Sequence, residues 1–164
     1  MTTDDENADI RILDFGLGKI IGPNEKCSEP YGTVIYCAPE IISNKPYTKI
    51  VDSWSLGVMT YILLYARPPF WDPDKKQLKK NICKCIPLFK GHGLSTVSDE
   101  GINFTQNLLV KDPNKRMSIA QALHHKWFQK YNINDKLKLK ALSYDEKNMN
   151  ELTNLLKKIQ NLNV

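Results

Sequence analysis

The chain has 164 residues, 41% of them hydrophobic and 25% charged, which suits one globular domain with a core of its own. Its net charge of +5 rests almost wholly on lysine, with arginine only at Arg11, Arg67 and Arg116, so the basicity reads as a solvated surface and no nucleic-acid partner is expected. The apolar run 58–66 is interrupted by Thr60 and too short to span a bilayer, the acidic start is no signal peptide, and Cys27, Cys37, Cys83 and Cys85 form no C-x-x-C pair; a cytoplasmic chain without a transmembrane segment or zinc site is expected.

Ile10-Arg11-Ile12-Leu13 alternates apolar and polar positions, as a short strand does. Residues 14–45 carry Gly16, Gly18, Gly22, Pro23, Pro30, Gly32 and Pro39, and read as a long ordered loop of the functional kind. Residues 52–65 are apolar on nearly every side, which predicts a central, buried helix. Arg67-Pro68-Pro69-Phe70 stops it. A surface helix follows at 75–85, then a loop at 86–97. Ser98 is placed to cap a helix with Asp99 and Glu100 in its first turn, Phe104 and Leu108 on one face, and Asp112-Pro113 as its end. Ser118 and Gln121 form a capping-box pattern that opens a short helix to Leu123. Leu152, Leu155, Leu156, Ile159 and Leu162 mark a final amphipathic helix.

Several short motifs fall on this frame in a fixed order. Asp14-Phe15-Gly16 comes first, then Gly32-Thr33-x-x-Tyr36-x-Ala38-Pro39-Glu40, then Asp52-x-Trp54-Ser55-x-Gly57. Pro68-Pro69-Phe70, Asp112-Pro113-x-x-Arg116 and Ala122-Leu123-x-His125-x-Trp127-Phe128 complete the series. Each alone is weak. Together, over residues 10–128, they resemble the protein kinase family from its magnesium loop to the end of the catalytic domain. The fold this implies is mainly α: the C-terminal lobe of the protein-kinase-like α+β fold, with a central buried helix and the N-terminal lobe absent. Residues 1–128 would form the partial kinase domain and 129–164 a regulatory or junction-like tail.

The resemblance also assigns roles. Asp14 is the expected carboxylate for Mg²⁺ bridging the phosphates of ATP, Phe15 the packing residue that sets the loop's state, and Gly16 the sharp turn beside the metal. Gly32, Thr33 and Tyr36 belong to the substrate-facing activation segment, and Thr33 favours Ser/Thr over Tyr acceptors. Glu40 and Arg116 are expected to form a buried ion pair that pins this segment to the lobe, a role that suits the bidentate fork of arginine. Asp52, with Trp54 beside it, would accept hydrogen bonds from the catalytic-loop backbone, or act as a helix N-cap, or both. Glu29 stands where many kinases carry a phosphorylated threonine, so its charge would order the segment in place of a phosphate, with Ser28 as the competing acceptor. His92, His124 and His125 lack partners at useful spacing and are read as surface or packing residues. Lys126 stands where the pattern usually has proline.

Only residues 1–9 and the expected strand precede Asp14, and they contain no Gly-rich loop, no phosphate-orienting lysine and no catalytic loop with its Asp base. The expectation is a kinase fragment, not competent alone, whose parent uses ATP and Mg²⁺ that this chain does not bind tightly by itself. The alternative is a non-catalytic kinase-like module that binds a substrate or a calcium sensor. Asp-Phe-Gly-Leu-Gly-Lys, Pro-Pro-Phe and His125-Lys-Trp-Phe are most similar to calcium-dependent and calmodulin-dependent kinases, which implies protein substrates, the missing N-terminal lobe, and a calmodulin or EF-hand regulator acting through 145–162 as partners.

Overall fold

The computed structural model describes residues 12–22, 25–87, 89 and 97–129. The chain divides into two units, one made of Met1–Ile20 with Ser143–Val164 and the other of Ile21–Leu142.

In the larger unit almost all regular structure is helical. Among the described residues six α-helices follow in order: α1 (Pro39–Ile42), α2 (Ile50–Tyr65), α3 (Lys75–Lys84), α4 (Asp99–Leu108), α5 (Ile119–Leu123) and α6 (Lys126–Gln129). A single turn of 3-10 helix, Val34–Tyr36, precedes α1. The β-structure among the described residues is one isolated antiparallel bridge, Cys27 to Tyr47. The long Gly/Pro-rich segment is thus less irregular than expected. Its turn at Val34–Tyr36 and helix α1 both arise late in it, where Pro39 at the first helical position supplies a preset φ and lacks an N–H that would go unsatisfied there.

Helix α2 is the centre of the unit. It begins two residues before the expected start, because Val51 and Asp52 already donate to Thr48 and Lys49 carbonyls at 3.2 Å. Asp52 is therefore not an N-cap; it lies in the first turn, where a negative charge still suits the positive end of the helix. Trp54, Val58 and Tyr61 are fully buried, and they gather Ala38, Phe70, Leu78, Ile82 and Leu109 around them. Trp54 stacks on Phe70 with ring centroids 5.8 Å apart. The all-round burial expected of this helix is corrected on one side: Met59 and Leu63, which follow Asp52 along one face, are exposed, Leu63 to 85%. Ile62 is half-buried.

Helix α4 crosses α2 at Gly57, where an added Cβ would sit 2.8 Å from Leu108 Cβ and 3.0 Å from Leu109 Cδ2. This close approach explains why a residue with poor helix propensity occupies a central helical position. Ser98 caps α4 by accepting from Gly101 N–H at 3.2 Å. Phe104, Leu108 and Ala122 form a second core cluster, closed by Trp127 and Phe128 around the Phe104 ring. Helix α4 ends at Leu108, earlier than Asp112-Pro113, and Asp112 builds a turn of its own by accepting from Asn114 N–H at 3.0 Å and Arg116 N–H at 3.1 Å. The Ser118–Gln121 capping box is present in both directions. Lys126 opens α6 without a proline.

In the smaller unit, Ile12 and Leu13 are each 80% exposed and form no strand, since a strand persists only against a partner. Ile10, Arg11, His92, the expected helix at 152–162 and the whole segment 145–162 lie outside the described residues. No helix among the described residues is long and apolar enough to cross a membrane.

Candidate functional site

The turn after Asp112 throws Arg116 back into the protein, and α1 brings Glu40 to meet it. Both are buried. Arg116 Nη1 donates to Glu40 Oε1 at 2.7 Å and Nη2 donates to Oε2 at 2.9 Å, a two-pronged contact across 76 residues of sequence. The remaining donors are used as well. Nε donates to the Val110 carbonyl at 2.9 Å, Nη1 to Ile50 at 3.3 Å and Nη2 to Lys111 at 3.3 Å. The guanidinium carbon lies 5.2 Å from the Trp54 ring centroid, so the cation also sits over an aromatic face. Five N–H donors meet five acceptors, two of them the Glu40 carboxylate oxygens, which offsets the cost of burying the charge. Glu40 and Arg116 thus meet as a buried pair with the cation over the Trp54 ring, and α1, α2 and the connection after α4 are tied together by one side chain.

The segment leading into α1 is held from several sides. Gly32 has φ +114, a conformation closed to other residues, and an added Cβ would lie 3.3 Å from Cys37 Sγ. Cys37 is buried, and burial pushes its thiol pKa up against the opposing charge of Lys79. It therefore stays protonated and reaches the carbonyls of Thr33 at 3.4 Å and Tyr31 at 3.7 Å. Ser55 Oγ on α2 donates to the Tyr36 carbonyl at 3.0 Å. Thr33 and Tyr36 are exposed. Glu29 is exposed, and its Oε2 accepts from Ser28 N–H at 3.1 Å, while its carbonyl accepts from the Tyr47 hydroxyl at 2.6 Å. Cys37, Tyr47 and Ser55 are the residues that sequence reasoning missed. Ser55 was already inside a quoted motif; Tyr47 and Cys37 carry no local signal, since their partners are main-chain carbonyls.

Asp52 keeps solvent access at the start of α2, yet the protein packed around it pushes its carboxyl pKa up by desolvation. His125 is a packing residue, as expected. Its ring meets Phe104 edge-on at 5.2 Å, and its Nδ1 accepts from Trp127 N–H at 3.2 Å. That acceptor role fixes the neutral tautomer with Nε2–H directed to Asn103 Oδ1 at 3.0 Å. Burial, then the charge of Lys126, lower its pKa.

In the smaller unit, Asp14 adopts φ 63, and its Oδ1 accepts from Gly16 N–H at 3.2 Å, while Gly18 N–H donates to the Phe15 carbonyl at 2.8 Å. Asp14 is exposed and Phe15 half-buried. This is a tight turn presenting a carboxylate, with the left-handed backbone that Asp tolerates better than most residues.

The protein kinase domain family matches residues 2–128. The chain belongs to the protein kinase family. Among curated kinases it is 37% identical over 131 residues to CDPK-related kinase 8 of Arabidopsis thaliana, an alignment covering 80% of this chain and 22% of that protein. It is 36% identical over 135 residues to serine/threonine-protein kinase 17A of Oryctolagus cuniculus, covering 82% and 34% respectively. CDPK-related kinase 3 of Arabidopsis thaliana gives 37% over 128 residues, covering 78% and 21%. The chain thus spans about a fifth to a third of the length of these kinases. The helical unit, nearly strand-free among its described residues, is the C-terminal-lobe part of the kinase fold.

Proposed function

We propose that this chain is the substrate-facing helical lobe of a protein serine/threonine kinase, the class of enzyme that moves the γ-phosphoryl group of ATP to a protein hydroxyl. The observation that carries the reading is the Glu40–Arg116 pair with Trp54, which anchors the end of the segment bearing Gly32, Thr33 and Tyr36. Thr33 is the residue that favours serine or threonine acceptors. Its exposure leaves the hydroxyl open to a catalytic aspartate supplied from outside this sequence.

Asp14 would hold Mg²⁺, which when bound would supply positive charge to offset that of the transferring phosphoryl group. The fit rests on donor chemistry. Mg²⁺ takes one or two carboxylates and completes its shell with water and phosphate oxygens, and Asp14 offers one exposed carboxylate on a fixed turn. Asp52, with solvent access and a raised pKa, would accept main-chain N–H groups of the catalytic loop. The exposed Met59 and Leu63 fit the same reading, as apolar surface for the rest of a kinase domain to cover. Residues 145–162 would be a regulatory helix recognised by a calmodulin-like or EF-hand protein, on the leucine spacing of the tail and the likeness to CDPK-related kinases.

A radiometric assay with ATP, Mg²⁺ and basic serine, threonine and tyrosine peptides tests the proposal. The 164-residue chain alone should transfer nothing, and the longest protein in which it occurs should label serine or threonine. Robust turnover by the chain alone, or labelling of tyrosine, would overturn it. A stable stoichiometric partner with no transfer by any longer protein would favour the binding-module alternative.

A further inference from the structure

Tyr47 makes three hydrogen bonds to the stretch that leads into the substrate-facing segment. Its N–H donates to the Cys27 carbonyl and its carbonyl accepts from Cys27 N–H, both at 2.8 Å, and its hydroxyl donates to the Glu29 carbonyl at 2.6 Å. The ring packs against the core cluster around Trp54. One side of this residue is therefore fixed by apolar packing, and the other fixes Cys27–Glu29 main chain. The contacts then continue along the segment. The Glu29 carbonyl also accepts from Tyr31 N–H at 2.9 Å, which fills both of its lone pairs. The Tyr31 carbonyl in turn meets Cys37 Sγ, and the same sulfur meets the Thr33 carbonyl at 3.4 Å. An unbroken series of polar contacts leads from the Tyr47 hydroxyl to Thr33.

We infer that the Tyr47 hydroxyl is a positioning group for phosphoryl transfer, holding the Gly32–Thr33 turn in its receiving shape without a phosphate on the segment. This rests on the kinase reading above and goes beyond it in naming what orders the segment. It also shifts the weight at Glu29 from the side chain to the main chain. The carboxylate is exposed and accepts from Ser28 N–H, whereas the carbonyl is tied to the core through Tyr47. The short O–H···O contact is of the ordinary neutral kind, and its loss leaves Tyr31 N–H still on the carbonyl, so no orphaned acceptor results. One such bond changes a local opening equilibrium about fivefold.

Amide hydrogen exchange on the 164-residue chain tests this with two variants. Tyr47→Phe keeps the ring and the bridge to Cys27 and removes only the hydroxyl. It should speed exchange at 27–33 about fivefold while α2, α4 and the melting temperature stay as in the parent chain. Glu29→Gln keeps the carbonyl and should exchange like the parent. Unchanged exchange in Tyr47→Phe would overturn the inference. So would a loss spread evenly over α2 and α4, which marks a merely structural role, or an equal loss in Glu29→Gln, which would return the role to the carboxylate. In the longest protein carrying the chain, Tyr47→Phe should raise KM for a serine peptide about fivefold and move kcat less than about twofold. A fall in kcat with KM unchanged would overturn the positioning role. A longer protein that transfers no phosphate would overturn the kinase reading and with it the role given to Tyr47, and the exchange result would stand as a property of the fold.

Discussion

The Glu40–Arg116 pair and the Asp14–Gly16 turn are both kinase signatures, and they are built in opposite ways. Arg116 is buried and spends every donor on the chain's own oxygens, five contacts between 2.7 and 3.3 Å. Asp14 is exposed, and its turn is made of local contacts to Gly16 and between Gly18 and Phe15. The difference fits the roles proposed for them. A group whose task is to pin one segment to another must be satisfied within the chain, because a buried charge left unpaired is costly. A group whose task is to meet a metal and a phosphate must keep its oxygens available.

The largest effect should follow from Arg116→Met. It leaves Glu40 buried without a partner and removes the cation from the Trp54 face, at about 3–5 kcal/mol, so the thermal midpoint of the chain should fall by roughly 10 °C or more. A melt within a degree or two of the parent would mean that the pair is not a strut. Gly57→Ala should come next. The added methyl would sit 2.8 Å from Leu108 Cβ, and overpacking of this kind costs about 1–3 kcal/mol despite the better helix propensity of alanine, which a urea titration would read as a lower midpoint.

A smaller, pH-dependent loss should appear at His125. Its folded pKa lies below the ordinary 6.5, so its contribution is fully present above about pH 6.5 and is lost as the pH falls through the folded value. Protonation of Nδ1 removes the acceptor for Trp127 N–H. Thermal midpoints measured from pH 7 downwards should show this extra acid sensitivity, and His125→Gln should lack it. The smallest effect should be that of Asp14→Asn. Asn tolerates the left-handed backbone and can accept from Gly16 N–H, so stability should move by less than about 0.5 kcal/mol. A large loss there would erase the contrast between the two regions.

The helical frame was legible because its signals are local. Apolar content placed α2, Ser98 stands where a cap does and accepts from Gly101 N–H, and Ser118 with Gln121 announced α5. The Glu40–Arg116 pair was legible only through resemblance, since no periodicity links residues 76 positions apart. Three features were not legible. Of the strand expected over 10–13, Ile12 and Leu13 form no part, because alternation says nothing of whether a partner strand is at hand. The exposure of Met59 and Leu63 was missed because apolar composition reports what a helix is suited to touch, not what covers it. The Tyr47 contacts were missed because they run to main-chain carbonyls, which every residue has.

Glu40 and Arg116 act above all as one strut, pinning the end of the segment that leads into α1 to the rest of the helical unit. A double-mutant cycle of Glu40→Gln, Arg116→Met and the pair together, measured by urea unfolding of this chain, tests it most directly. Each single variant should strand its partner and cost about 3–5 kcal/mol, and the double variant should cost well under the sum, by at least about 2 kcal/mol. Additive losses, or singles that each cost less than about 1 kcal/mol, would contradict it.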